Sequence, residues 1–433
     1  MLPSSFRLND LGASLPAGAT SKVIACRPTT GLTWGAQNII DVDLPATGWL
    51  DPALTIRYKV AYTGGPLTTP TVLLGTPVYT PFQRLQITQG GSVIDSIGSY
   101  SQVGNLLTNL ELGISEKSGL MDAYGYNPYS AGGSQYLDGR LLNTMVPPTI
   151  AVVANVVDTF WVSAPLHCVL NKSKKNIPLF ASDPIRLTFT LDSLKNMSYA
   201  GNIGASVCQE IANMVITNFE VVATIYDLGK DVERSVMGQG PLFLKSASYN
   251  NSSLLVNSGA SGSNSYFFNQ RLSSIRSLFL LPAQLVGSKG CEICDLTSGA
   301  GDYSFQIDGK QFPPLPLSSV LNDSGILMEC FKAAKTIFPH THMCIDKQEY
   351  EAMINTIPTL YYEPGKFIPS LSLMKCGLND DIMMAGTSSK ETGINAIVNI
   401  PTATTAACAL GLLLHYDVVL VFDPFSKKIS VRN

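Results

Sequence analysis

The chain has 433 residues, with 29 Lys and Arg against 32 Asp and Glu, a net charge of −3, and 14% charged residues. That balance excludes extensive phosphate neutralisation, which needs clustered Lys and Arg, so nucleic acid is not the expected direct contact partner. A mean hydropathy of +0.18 leaves little charge to hold copies apart and suits a surface that meets other protein. Along the chain, Leu54, Ile56, Tyr58, Val60 and Tyr62 alternate with Thr55, Arg57 and Lys59 and then meet Thr63-Gly64-Gly65-Pro66. Period two closed by a breaker predicts a half-buried antiparallel strand. Residues 82–95 read as a hairpin, because Gly90-Gly91 can take the positive φ of a tight hairpin turn. Val103, Leu106, Leu107 and Leu110 then share one face of a short amphipathic helix that stops at Gly113. Residues 115–141 change to Gly, Ser, Tyr and Asn around Tyr124-Gly125-Tyr126-Asn127-Pro128-Tyr129. The tyrosines of this long loop are expected to offer contact area to a neighbouring protein. Strands resume at 157–167 and 185–191, and a strand at 216–226 completes the first half.

Leu228-Gly229-Lys230-Asp231-Val232-Glu233-Arg234-Ser235 is charge-rich and helix-compatible, which predicts a connector at 228–242 between domains at 1–227 and 243–433. The connector is expected to fix the relative orientation of the two domains. The second half reads as strands near 242–247, a Ser/Asn/Gly loop at 250–264, and a strand at 275–281. A strand-turn-strand unit at 304–317, a helix around 324–337 and a long loop at 339–369 follow. Strands at 396–400, 412–422 and 428–431 close the chain. The halves end alike. Phe219-Glu220-Val221-Val222-Ala223-Thr224-Ile225-Tyr226-Asp227 and His415-Tyr416-Asp417-Val418-Val419-Leu420-Val421-Phe422-Asp423 are both β-rich runs closed by aromatic-Asp. The pattern is that of one β-domain duplicated in tandem, although residue identity between the halves is low.

Chemistry-bearing motifs are sparse. Cys26, Cys168, Cys208, Cys291, Cys294, Cys330, Cys344, Cys376 and Cys408 are odd in number and widely spaced, and read as reduced, mostly buried thiols. Met1-Leu2-Pro3-Ser4-Ser5-Phe6-Arg7 lacks the apolar core of a signal peptide, so folding in the cytosol or nucleus is expected, with the sequons at Asn171, Asn196, Asn250, Asn251 and Asn322 unused. The most apolar stretch, 406–422, is broken by Gly411, His415 and Asp417 and reads as a strand rather than a membrane span. Cys291-Glu292-Ile293-Cys294 and His340-Thr341-His342-Met343-Cys344 hold zinc-ligand residue types, but the spacing lacks a second knuckle, and loop residues without metal are the better reading. His167 and His415 lie in apolar strands and read as core histidines. Lys172-Ser173-Lys174-Lys175 reads as a solvated loop. With no Gly-x-Ser-x-Gly elbow, P-loop, dinucleotide fingerprint or His-Glu-x-x-His, the reading is no enzyme, and no catalytic, cofactor-binding or metal residue is assigned.

Three segments carry a resemblance: the strand at 54–62 after Asp51-Pro52, the Phe82-Gln83-Arg84 to Gly90-Gly91-Ser92-Val93-Ile94 hairpin with its Leu106-Leu107 helix, and Phe305-Gln306-Ile307-Asp308-Gly309-Lys310-Gln311-Phe312-Pro313. Together they resemble the double jelly-roll major capsid proteins of polinton-like viruses, adintoviruses and virophages, within the adenovirus and tectivirus lineage. The resemblance implies an all-β chain of two tandem eight-stranded antiparallel jelly rolls and a homotrimer that mimics a hexagon. It further implies an icosahedral shell around double-stranded DNA, with neighbouring capsomers, penton and minor capsid proteins as partners and no sequence-specific nucleic-acid contact. The location implied is the virion capsid, assembled inside the host cell; an internal membrane is left open. The loops at 115–141 and 339–369 have no counterpart in the resemblance. Two rival readings stay open: a two-domain cupin-like metalloenzyme using His340-Thr341-His342, and a glycan-binding β-sandwich, for which Trp34, Trp49 and Trp161 are the only tryptophans.

Overall fold

Period-two alternation organises the folded chain as it does the sequence: residues Thr55–Thr63 and Ile394–Ile400 alternate between buried and partly exposed along their whole length. The structure, a computed structural model, describes residues 18–64, 71–113, 116, 119–126, 130–131, 134–135, 139–142, 157–198, 201–203, 206–208, 211–238, 240–284, 302–318, 324–339, 368–375, 384–400 and 407–433.

Eight principal strands of the first half are β1 (Thr20–Cys26), β2 (Ile39–Asp43), β3 (Thr55–Thr63), β4 (Phe82–Gln89), β5 (Ser92–Gly98), β6 (Val157–Pro165), β7 (Ile185–Leu191) and β8 (Asn213–Asp227). Their counterparts in the second half are β9 (Leu242–Val256), β10 (Gly262–Phe268), β11 (Ile275–Gln284), β12 (Asp302–Ile307), β13 (Lys310–Ser318), β14 (Ser370–Ser372), β15 (Ile394–Ile400) and β16 (Cys408–Asp423). One sheet of the first half pairs β1, β8, β3 and β6 in that order, and the other pairs β2, β7, β4 and β5. The second half repeats both orders, as β9, β16, β11, β14 and as β10, β15, β12, β13. All these pairings are antiparallel.

The repetition reaches the irregularities. The β3–β8 register shifts between Thr217 and Glu220, and the β11–β16 register shifts between Ile275 and Ser277. Beside each shift an arginine of the third strand meets a carboxylate of the eighth, Arg57 with Glu220 and Arg276 with Asp417. Such bulges persist because they re-aim particular side chains.

Three helices follow the expected positions. α1 (Tyr100–Glu111) comes after β5, α2 (Lys230–Met237) falls within 228–242, and α3 (Ser324–Ile337) comes after β13. α1 differs from its expected amphipathic character: residues 100–110 are all buried, including Ser101, Gln102, Asn105, Thr108 and Asn109. Protein therefore covers it on every side. α2 buries no residue. The expected loop at 250–264 is corrected too. β9 continues through Asn250, Asn251, Ser252 and Ser253 because these pair with Leu414, Leu413, Leu412 and Gly411 of β16, and β10 begins at Gly262. A polar run becomes a strand here because its partner supplies the ladder. β1 and β2 lie N-terminal to the first strand that alternation marks. Among the described residues, no helix is long and apolar enough to cross a membrane.

The two sheets of the first half meet through rings. Tyr58 of β3 and Phe219 of β8 pack on Phe82 of β4 and Phe189 of β7, with centroid separations of 5.1–6.1 Å. Buried apolar side chains of both halves form one contiguous cluster, so the halves are joined directly as well as by the connector.

Candidate assembly surfaces and the seam between the barrels

Where the halves meet, strand β5 of the first barrel lies against β9 of the second without joining its sheet. Asp95, midway along β5, points into this seam. Its Oδ2 accepts the Val169 N–H at 2.9 Å, and its Oδ1 accepts the Ser248 hydroxyl at 2.6 Å and the Ser96 N–H at 2.9 Å. Ser246, also on β9, donates to the Val169 carbonyl. Burial pushes the Asp95 carboxyl up to about 6, against the pull of those three donors. A second tie lies at the hairpin ends. Gln89 donates to the Lys427 carbonyl at 2.6 Å and accepts the Ile429 N–H at 3.2 Å, while the Asp183 N–H reaches the Lys427 carbonyl at 3.0 Å.

Lys172 corrects the sequence reading of a solvated basic loop. Its ammonium sits 4.2 Å from the centroid of the Phe338 ring, just past α3, and burial lowers it to about 8 while Glu111 opposes the shift. Lys174 and Lys175 are exposed as expected. Both histidines are core residues. His167 packs on Tyr79, and burial lowers its imidazole to about 3. His415 stacks on Tyr249 with ring centroids 5.5 Å apart, lies 3.4 Å from the Thr336 hydroxyl, and is held well below the usual range by burial, with Arg276 adding to the effect.

By sequence, no protein-family model and no curated protein matches the chain. Solved structures do match over its whole length. The Faustovirus major capsid protein superposes with a TM-score of 0.62 at 9% identity, covering 96% of this chain and 92% of that one. PBCV-1 VP54, in a crystal structure fitted into a reconstruction of the virophage Sputnik, gives 0.58 at 11% identity with 98% of each chain covered. The mavirus major capsid protein gives 0.55 at 12% identity, covering 100% of this chain and 95% of that one. Two barrels with one repeated strand order match these proteins from end to end. The chain is a double jelly roll.

The outward surfaces of this double jelly roll differ from those expected. Tyr124 and Tyr126 are only 5% and 1% exposed. The Tyr126 hydroxyl lies 2.8 Å from Thr76 Oγ1, and the two tyrosine rings stack on one another. They pack inward against Thr76 and Tyr79 and offer no area to a neighbour; Tyr129 lies outside the described residues. Exposed apolar side chains sit elsewhere, including Val23 on β1, Trp161 on β6, Leu315 on β13 and Met328 on α3. Trp161 borders a surface pocket of about 430 Å³ with Arg57, Asp122, Ala123, Val162 and Ser163.

Cys291, Cys294, His340, His342 and Cys344 lie outside the described residues, as does most of the 339–369 loop. Among the described residues, no three His, Cys, Asp or Glu side chains gather as a metal-ligating group. Cys26, Cys168 and Cys330 are buried free thiols, and burial pushes Cys168 up to about 12 and Cys330 up to about 11. Such thiols are poor nucleophiles and poor ligands. The sequence missed Asp95 and Lys172. The available signal for Asp95 was a carboxylate set between Ile94 and Ile97 within a single short strand.

Proposed function

We propose that this chain is the major capsid protein of a double-stranded DNA virus of the polinton-like, adintovirus and virophage group. Three copies form a pseudo-hexagonal capsomer, and capsomers tile an icosahedral shell together with penton and minor capsid proteins, inside the host cell where the chain is made. The domains are 1–227 and 243–433, joined by 228–242. One observation carries this reading: both barrels repeat one strand order, and the pair matches viral major capsid proteins along the whole chain rather than over one barrel. A single barrel would fit many functions, because folds host unrelated activities. Two fused barrels of one order supply two similar sides of a tile.

The chain should purify with a mass three times its own by light scattering, and shells should appear in cells that express it. A stable monomer at micromolar concentration would overturn the proposal. Metal analysis separates it from the cupin-like alternative, which requires stoichiometric metal.

A further inference from the structure

The three tryptophans of the chain have different surroundings. Trp34 is buried, and the Trp49 ring packs edge-on against Phe180 with centroids 5.1 Å apart. Trp161 is 50% exposed on the outer face of β6, where it borders the surface pocket of about 430 Å³. An indole left open forgoes the gain of burying a large apolar ring. Neither the barrel core nor the proposed assembly accounts for it.

The neighbours of this ring follow from strand geometry. Residues two apart on a strand share a face, so Trp161 and Ser163 point outward while Val162, only 2% exposed, points into the barrel. In the β3–β6 ladder Ser163 lies opposite Arg57 and Trp161 opposite Lys59, and Arg57 in turn lies opposite Glu220 of β8. Glu220 is buried and pairs with Arg57, which holds the guanidinium in place at the pocket. The remaining wall is the helical turn Met121–Tyr124, which supplies Asp122 and Ala123. That turn is fixed to the barrel. The Tyr124 carbonyl accepts the Val78 N–H at 3.1 Å, and Gly125, at φ 81°, passes so close to Phe160 and Val162 that a Cβ would stand 2.8 Å from each side chain. An aromatic platform, a carboxylate, a guanidinium and a hydroxyl are therefore presented by rigid elements.

We infer that this pocket binds a neutral pyranose, the sugar ring of a glycan, stacked on Trp161 with its hydroxyls on Asp122, Arg57 and Ser163. The site lies within one barrel and is independent of assembly. A pyranose has a face of C–H groups and a rim of hydroxyls. The C–H face suits the electron-rich face of an indole. A carboxylate accepts hydrogen bonds from neighbouring hydroxyls, and a guanidinium donates to their lone pairs. The lining charges disfavour ions of either sign. An anion meets Asp122 while Glu220 already engages Arg57. A cation meets Arg57 and finds one ring where an aromatic cage would supply several. The volume falls within the range of about 300–1,000 Å³ typical of small-molecule sites.

Saturation-transfer NMR of the purified chain with methyl glucoside, methyl galactoside, methyl mannoside and methyl N-acetylglucosaminide tests the assignment. At least one glycoside should bind saturably in the millimolar range, with transfer strongest at the C–H protons of one ring face. Trp161→Ala should abolish the transfer and keep the circular dichroism spectrum, because the side chain stands outside the core. Asp122→Asn, which leaves the platform intact, should weaken binding about tenfold. No saturable transfer from any of the four, or transfer that survives Trp161→Ala, would overturn the site. Tighter binding of sialic acid or choline than of every neutral glycoside would overturn the neutral-sugar assignment. Loss of the trimer in Trp161→Ala would overturn it too, by giving the ring to a contact between copies. A monomeric chain that binds the sugar through Trp161 would overturn the capsid reading and leave this site standing.

Discussion

Inside the first barrel, Tyr58, Phe82, Phe189 and Phe219 pack ring against ring, and each is at most 2% exposed. At the seam the positions are filled instead by Asp95, Gln89, Ser246 and Ser248, which reach across by hydrogen bonds. The difference separates two tasks. Apolar packing is non-directional and decides that a barrel forms. Hydrogen bonds to a buried carboxylate are directional, and an unmade one is costly, so they decide the angle at which two barrels sit. In the proposed capsomer, contacts on both sides of each chain would depend on that angle.

Breaking the interior should have the largest effect. Phe189→Asp places an unpaired charge among the rings and should cost the first barrel ~4 kcal/mol or more, seen as loss of β-structure in circular dichroism and new protease cleavage. Leu420→Asp, at a fully buried position of the core, should do the same to the second barrel. The seam should yield more easily and more locally. Asp95→Ala leaves the Val169 N–H, the Ser96 N–H and the Ser248 hydroxyl without their acceptor, which should cost about 2–3 kcal/mol. Both barrels should stay folded while hydrogen exchange rises at the Val169 and Ser96 amides.

Titration should divide the two regions by sign. The folded protein holds a proton on Asp95 up to about pH 6, whereas the unfolded chain releases it near 3.8. That contribution is present in full below 3.8 and is lost as the pH rises through 6. The stability advantage of the native protein over Asp95→Asn should therefore shrink by about 3 kcal/mol between pH 3.5 and pH 7 in urea unfolding. His415 has the opposite sign. Burial keeps it neutral in the folded state, while the unfolded chain takes up a proton below 6.5. Its contribution is present above 6.5 and is lost on acidification, so His415→Phe should reduce the loss of stability between pH 7 and pH 5 in urea unfolding.

The connector should matter least. Val232 stands in the first turn of α2, where proline is tolerated, so Ser235→Pro is the substitution that breaks this helix. Because α2 buries nothing and the seam holds the barrels directly, thermal unfolding of the barrels should change by less than about 1 kcal/mol.

Alternation made β3 and β7 legible, Gly90-Gly91 made the β4–β5 turn legible, and α3 begins and ends where its apolar pattern does. These are local signals. β9 was read short because Asn250 to Ser253 carry no strand propensity and depend on β16 for pairing. α1 reads as amphipathic because nothing in its own sequence announces that Thr76, in the same half, bonds to Asn105 on its polar side. Tyr124 and Tyr126 read as an outward surface for a similar reason: composition marks a tyrosine-rich loop, but contacts with Thr76 and Tyr79 decide that these two fold inward. Asp95 and Lys172 are tertiary sites whose partners lie 153 residues away at Ser248 and beyond 160 positions away at Phe338.

Electron microscopy of the purified protein tests the central claim most directly. Averaged particles should show six lobes in a ring with threefold symmetry, alternating between two slightly different lobes, one from each barrel of three chains. Isolated two-lobed particles, or rings built on any other symmetry, would contradict the account.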